Sequence, residues 1–269
     1  MIHRQRLNAP GAVGRMHPLQ KSRQIRSELL DDVSHELRTL LTLTSAHLET
    51  LSLKKDLSAH ERREYLHTAL VKSRRVGKLV AQLLDLYRLE AGSAAFAPEP
   101  LQLAELAQEV IQKAEPAASR AGVKLRIERL RPVPLVLGDV RLLLQAFENL
   151  LDNAVRYAGS GGEVVVRVLV QKLAVRVEVY DSGPVIAGSD QVRVLERFCR
   201  SHNSRSDSGH SGVALAIVRG ILQLHGQEIA FLTSPSRGTT FSFALPLLEA
   251  RERHGARGSH RFARLGSGS

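Results

Sequence analysis

The chain has 269 residues, 43% of them hydrophobic, and a net charge of +11, which is enough apolar material for one large domain or two modest ones. Aromatic residues make up only 4% and tryptophan is absent, so the core is expected to consist of Leu, Val, Ala and Ile. A single cysteine, Cys199, excludes an internal disulfide and suits a reducing compartment; neither a run of about eighteen apolar residues nor an apolar signal core is present, so a spanning helix is excluded and a cytoplasmic location is expected, either free or as the cytoplasmic part of an inner-membrane protein.

Residues 1–24 are basic, with His3, Arg4, Arg6, Arg15, Lys21 and Arg23 before the first acid at Glu28. They read as a flexible, solvated segment, as does the tail 249–269, which carries a basic run from Arg251 to Arg264. From Ile25 to about Leu53, apolar residues recur in steps of three and four: Leu30, Val33, Leu37, Leu40 or Leu41, Leu48 and Leu51. This is a helix with a narrow apolar stripe. Ser58 followed by Glu61 resembles a capping box, and it opens a second helix with Leu66, Leu70, Val76, Leu79, Leu83 and Leu86 that ends near residues 90–93. Two long helices and a short link make a hairpin over 25–92. Alone it buries little, so pairing with a second copy into a four-helix bundle is expected.

The texture changes after residue 92. A helix begins near Leu101, "VKLRIERL" reads as a strand, "VPLVLG" as a short strand and "DVRLLLQAFENLLDNAVRYA" as a strongly amphipathic helix. "GEVVVRVLVQ" and "LAVRVEVYD" alternate as strands joined by a tight turn. An irregular stretch over about 183–209 suggests a functional lid. "GVALAIVRGILQLHG" is a helix stopped at Gly226, and "QEIAFLTS" with "TTFSFALPL" closes the chain as a hairpin. The fold class over 93–248 is therefore α+β, a sandwich of a mixed sheet with helices on one face.

His35 stands about 200° around the first helix from both Val33 and Leu37, so it faces away from the apolar stripe. Glu36 beside it is a candidate to orient an imidazole nitrogen or take its proton, and Thr39 lies one turn further on the same face. A neutral imidazole is a good nucleophile near pH 7 and accepts phosphoryl groups. Asn149 and Asn153, four residues apart, share one helix face, and their amide oxygens suit Mg²⁺.

"DDVSHELRT" (31–39) resembles the phosphoacceptor box of two-component sensor histidine kinases. Further stretches resemble the family's other boxes in the family's order: "FENLLDNAVRYA" (147–158) the N box, "DSGPVI" (181–186), "GHSGVALAIV" (209–218) and "GTTFSFALP" (238–246) the three glycine boxes, and "VLERFCR" (194–200) the F box. The resemblance implies a dimerisation and phosphotransfer hairpin followed by a gyrase-like ATP-binding α/β sandwich. It places Asn153 nearest Mg²⁺ with Asn149 as a second contributor, Arg156 at phosphate, Tyr157 against the nucleotide and Asp181 on the adenine amino group. It also makes Gly183 the point where backbone approaches the base, Phe198 the anchor of the lid, Arg200 a phosphate contact, Gly212 the entry to a phosphate-cradling helix, and Gly238 with Thr239 the border of the pocket.

Leu40 replaces the proline usual two residues after the box arginine, so a straighter helix is expected. Val185, His210 and Ala214 stand where the glycine boxes have glycines, and weakened ATP binding is expected. The function expected is autophosphorylation of His35 from Mg-ATP and transfer to an aspartate on a response-regulator receiver domain. The alternative is a kinase-impaired homologue that docks the receiver as a phosphatase or scaffold, with Thr39 helping to position water. Direct nucleic-acid binding rests only on the basic balance; no recognition-helix or aromatic-studded basic pattern accompanies it.

Overall fold

The computed structural model describes residues 18–129, 132–186, 212–234 and 238–248. Helix α1 spans Pro18–Leu53. It begins ahead of the expected start at Ile25, and proline suits a helix's first position because its missing N–H has no intrahelical partner there. The helix runs unbroken past Leu40, which is buried. Helix α2 spans Ala59–Glu90 and opens on a true capping box: the Glu61 amide donates to Ser58 Oγ at 3.2 Å and the Ser58 amide donates to Glu61 Oε2 at 2.8 Å. These bonds satisfy helix N-terminal donors that otherwise lack partners.

Strand β1 (Glu99–Leu101), which the sequence pattern did not reveal, pairs antiparallel with β3 (Val136–Gly138). Between them lie helix α3 (Leu103–Arg120) and strand β2 (Lys124–Arg129). Helix α4 (Val140–Ala158), strands β4 (Glu163–Val170) and β5 (Ala174–Asp181), helix α5 (Val213–Leu224) and strands β6 (Ala230–Ser234) and β7 (Gly238–Pro246) complete the described chain. The main sheet has five strands in the order β2-β4-β5-β7-β6; β2 and β4 are parallel and every other pair is antiparallel. A parallel β2–β4 pair requires a crossover, and α4 lies in that connection.

The two-residue period turns one face of the sheet inward, although Val165 and Ser242 on the other face are also buried. Val164, Val166 and Val168 of β4 align with Asp181, Val179 and Val177 of β5, and these with Thr239, Phe241 and Phe243 of β7. The row is buried under α3 and α4, and α5 packs on α4 in the same core. Phe147 of α4 meets Phe243 edge-on at 5.5 Å between ring centres, an arrangement aromatic quadrupoles favour by about 1 kcal/mol beyond area burial. The outward face carries ion pairs, Arg167 with Glu128 and Arg126 with Glu163.

The start of α4 is pinned from several sides. Asp139 caps it by accepting from the Leu142 amide, and its other oxygen accepts from the Ala97 amide. The Asp139 amide donates to Nε2 of the buried His225, whose Nδ1 donates to the Ile221 carbonyl. Helix α4 is thereby held to the end of α5, which fixes the height at which its asparagines stand.

Candidate functional site

The geometry begins on the hairpin. His35 is exposed while Val33, two residues earlier, is buried, so the imidazole faces outward as the helical spacing requires. The Thr39 hydroxyl, also exposed, donates to the His35 carbonyl at 2.9 Å. Glu36 takes a different direction from the one expected. It is only 5% exposed, and its Oε1 accepts from Arg75 Nη2 of α2 at 3.1 Å. Its Oε2 is buried without a hydrogen-bond partner among the described residues. In this arrangement Glu36 serves Arg75 rather than the imidazole, because its position on α1 turns it into the hairpin.

On α4, Asn149 and Asn153 are both buried. Asn149 Oδ1 accepts from Gln82 Nε2 of α2 at 3.1 Å, and Asn153 Oδ1 accepts from Arg156 Nη2 at 3.3 Å. Both oxygens that would face a metal therefore hold donors. Burial pushes the Arg156 guanidinium below the usual arginine range, and the nearby Arg75 pushes the same way, while Tyr157, Asp152 and Glu36 oppose this. The Arg156 cation lies 5.7 Å from the Tyr157 ring centre. The Arg156 side chain is exposed in area, and a cation with the second cation of Arg75 nearby gains from an anionic ligand. Tyr157 itself is exposed at 43%.

Asp181 ends β5 in the inward row and is 3% exposed. Burial raises its carboxyl to about 6, although the Gly183 amide, which donates to Oδ1 at 3.0 Å, works against that rise. Thr239 is its register partner on β7, and the Thr239 hydroxyl shares a hydrogen bond with that of Thr233 at 3.1 Å. Gly183 also meets a steric limit within the chain itself. A Cβ there would lie 2.4 Å from the Tyr157 carbonyl oxygen, so the close approach seen is to the end of α4. At Gly238, φ is +64° and a Cβ would lie 2.0 Å from the Asp181 carbonyl oxygen. Gly212 is the N-cap of α5, with no side-chain cap bond, and Ala214 in its first turn is half-buried. Val185 is exposed just beyond the Asp181–Gly183 turn. Phe198, Arg200, His210 and Cys199 lie outside the described residues.

The N-box asparagines, Arg156 and Tyr157 thus lie along the second half of α4, and Gly183 joins its end to Asp181 and Thr239. His35 is on a separate helix, linked to this group through Glu36 and Arg75. Sequence motifs missed the α2 residues that meet the site: Arg75, Lys78, Gln82 and Asp85. Their spacing of three and four residues was a usable signal, but a search for apolar stripes passes over a polar one.

The comparisons agree with this division. Residues 25–92 match the model of the His Kinase A (phospho-acceptor) domain, and residues 138–249 match that of the histidine kinase-, DNA gyrase B-, and HSP90-like ATPase. Sensor-like histidine kinase SenX3 of Mycobacterium tuberculosis is 34% identical over 225 residues, which cover 83% of this chain and 54% of SenX3. Drug sensory protein A of Synechocystis is 32% identical over 238 residues, covering 84% of this chain and 36% of that protein. The chain therefore spans between about a third and about half the length of these relatives. In fold it is similar to histidine kinase ThkA, solved in complex with the response regulator protein TrrA, at a TM-score of 0.66 and 21% identity over 86% of this chain and 64% of that one. With a phosphoacceptor hairpin followed by the ATPase sandwich, the chain belongs to the two-component sensor histidine kinases and carries their catalytic core.

Proposed function

We propose that the chain autophosphorylates His35 from Mg-ATP and passes the phosphoryl group to an aspartate of a response-regulator receiver domain. The observation that carries this reading is the pairing of an outward-facing His35 with a buried, adenine-accepting candidate in Asp181 and an oxygen-bearing helix face in Asn149 and Asn153. In the first step the unprotonated imidazole nitrogen bonds to the γ-phosphorus, the bond from phosphorus to the β,γ-bridging oxygen breaks, ADP leaves with its electron pair, and the proton on the other ring nitrogen passes to a carboxylate or to water. In the second step the N–P bond breaks and the receiver carboxylate takes the phosphoryl group.

Asp181 in its ionised form accepts from the adenine amino group. Asn149 and Asn153 offer neutral hard oxygens, the donor set that suits Mg²⁺; the ion neutralises phosphate charge when bound. Arg156 supplies a cation at the polyphosphate. The amides opening α5 after Gly212 point along the helix axis toward an anion. Glu36 is available to His35 only after it leaves Arg75, so the arrangement described is not the one that reacts. Val185 and Ala214 fill positions where glycine leaves room for phosphates, and this supports weaker ATP binding than an intact set of glycine boxes provides. The dimer expected of the hairpin is supported by its exposed leucines, Leu41, Leu48, Leu66 and Leu70.

Incubation with γ-labelled ATP and Mg²⁺ is the test. The expected product is a base-stable, acid-labile label on the protein that His35→Gln abolishes and that a receiver domain removes. An unlabelled but folded protein would overturn the kinase reading. The exposed Thr39 hydroxyl beside His35 favours one second reading, receiver dephosphorylation on the hairpin; it predicts faster phosphate loss from a phosphorylated receiver and a slower one with Thr39→Ala.

A further inference from the structure

Helices α2 and α4 face each other through a polar ladder. Lys78 pairs with Asp152, Gln82 with Asn149, and Asp85 with Gln145. The α2 numbers rise by four and three as the α4 numbers fall by three and four, so two helices run antiparallel with one rung per turn. Leu89 continues the α2 stripe to α5, where a Cβ on Gly220 would lie 3.3 Å from Leu89 Cδ1. The outer rungs are partly exposed: Lys78 and Asp152 keep 59% and 45% of their side-chain surface. An interface of such pairs gives little net free energy and separates readily.

The middle rung differs from the others, because Asn149 is 7% exposed and its single side-chain oxygen already accepts from Gln82. We propose that Gln82 is a positioning residue that competes with Mg²⁺ for Asn149 Oδ1, so that loading of Mg-nucleotide and docking of the ATPase domain on α2 oppose each other. This rests on the reading of Asn149 as a metal ligand. The amide oxygen has two lone pairs; the Gln82 amide takes one, and Asn149, at 7% exposure with α2 docked against it, offers a hydrated cation no open approach to the other. Binding the ion there requires the Gln82 bond to break, and the rungs on either side lose their alignment with it. Coupling is reciprocal: metal-loaded nucleotide loosens the ladder, and weakening the ladder tightens metal-loaded nucleotide. The device keeps an empty ATPase domain parked on the hairpin, with Glu36 held by Arg75, and frees a loaded one.

Calorimetric titration of the whole chain with Mg-ADP and with metal-stripped ADP tests the competition. Gln82→Leu, which keeps the side-chain bulk but has no amide, is expected to tighten Mg-ADP binding roughly threefold to tenfold, the worth of one net hydrogen bond, and to leave metal-stripped ADP unchanged. A second readout needs no substitution. Carbodiimide joins contacting Lys and Asp side chains, so the yield of the Lys78–Asp152 peptide link reports docking, with the Lys113–Glu148 pair inside the ATPase domain as the internal reference. Mg-ADP is expected to lower the first yield relative to the second, and metal-stripped ADP to leave the ratio alone. An unchanged affinity in Gln82→Leu together with an unchanged link ratio overturns the proposal; if Asn149→Ala still weakens Mg-ADP, the metal reading survives that result. If Asn149→Ala binds Mg-ADP as tightly as the parent chain, the metal reading fails and the competition fails with it.

Discussion

Two buried aspartates in the same domain have pKa values shifted in opposite directions, and the difference follows from how many backbone amides each accepts from. Burial raises the pKa of Asp139, but backbone amides of Ala97 and Leu142 more than offset it and hold the group below the usual range. Asp181 has one such amide, and burial prevails, to about 6. Between about pH 4 and pH 6 the folded chain keeps a proton on Asp181 that the unfolded chain releases, so this group's contribution falls as pH rises, by about 3 kcal/mol in all. Asp181→Asn is therefore expected to raise the melting temperature at pH 7 and to have a much smaller effect at pH 4.5. Adenosine, which has no phosphate to titrate, is expected to bind less tightly as pH falls below about 6, because protonation removes the carboxylate charge and leaves a weaker, neutral acceptor; chemical-shift titration measures it. At Gly183 the constraint is steric rather than electrostatic. The 2.4 Å approach to a backbone oxygen cannot be relieved by turning a side chain, so Gly183→Ala is expected to cost roughly 1–3 kcal/mol in denaturant unfolding, and Tyr157→Phe is not expected to rescue it.

At the scale of elements, the hairpin joins by two devices of unequal legibility. Ser58 and Glu61 were readable in sequence because a capping box has a fixed local spacing, and Ser58→Ala is expected to cost about 1 kcal/mol in thermal unfolding. The Glu36–Arg75 pair joins α1 to α2 across 39 positions, and no local pattern announces it. A fully buried pair that loses one partner costs roughly 3–5 kcal/mol; Arg75 is 35% exposed, so Arg75→Ala is expected to cost nearer 2 kcal/mol, less in the background of Glu36→Gln. The same contrast runs through the fold. Long periodic helices and alternating strands were legible in kind and, apart from the start of α1 at Pro18 rather than Ile25, nearly in extent, since each periodicity follows from its own backbone geometry. Strand β1 was not, because three residues containing a proline carry no alternation and their pairing with β3 depends on a partner over thirty positions away. The candidate site divides likewise: Asn149, Asn153 and Asp181 were singled out through motifs, while Gln82 and Arg75 are defined only by what α2 is packed against.

At the scale of the whole molecule, the hairpin and the sandwich differ in how complete they are. The sandwich closes its own core: Leu150, Ile217, Phe243 and Leu245 are at most 3% exposed within one chain. The hairpin does not, since Leu41 is 53%, Leu48 49%, Leu66 51% and Leu70 48% exposed. Leucines at steps of seven on α1 and four on α2 form an apolar strip of the kind that monomeric domains rarely leave in water, and a second copy related by a two-fold axis would cover it with the same residues. Symmetry then makes a charged substitution act twice. Leu66→Glu is expected to bring two carboxylates into one interface, at a cost of several kcal/mol, and to raise the dimer dissociation constant roughly a hundredfold or more. Light scattering during size-exclusion chromatography would show a dimer for the parent chain and a monomer for the variant at micromolar concentration. Because the ATPase core lies apart from Leu66, the monomer should keep its cooperative unfolding and its adenosine binding. A variant that lost both would place part of the sandwich's stability in the bundle, and a parent chain that ran as a monomer would require another cover for the leucine strip.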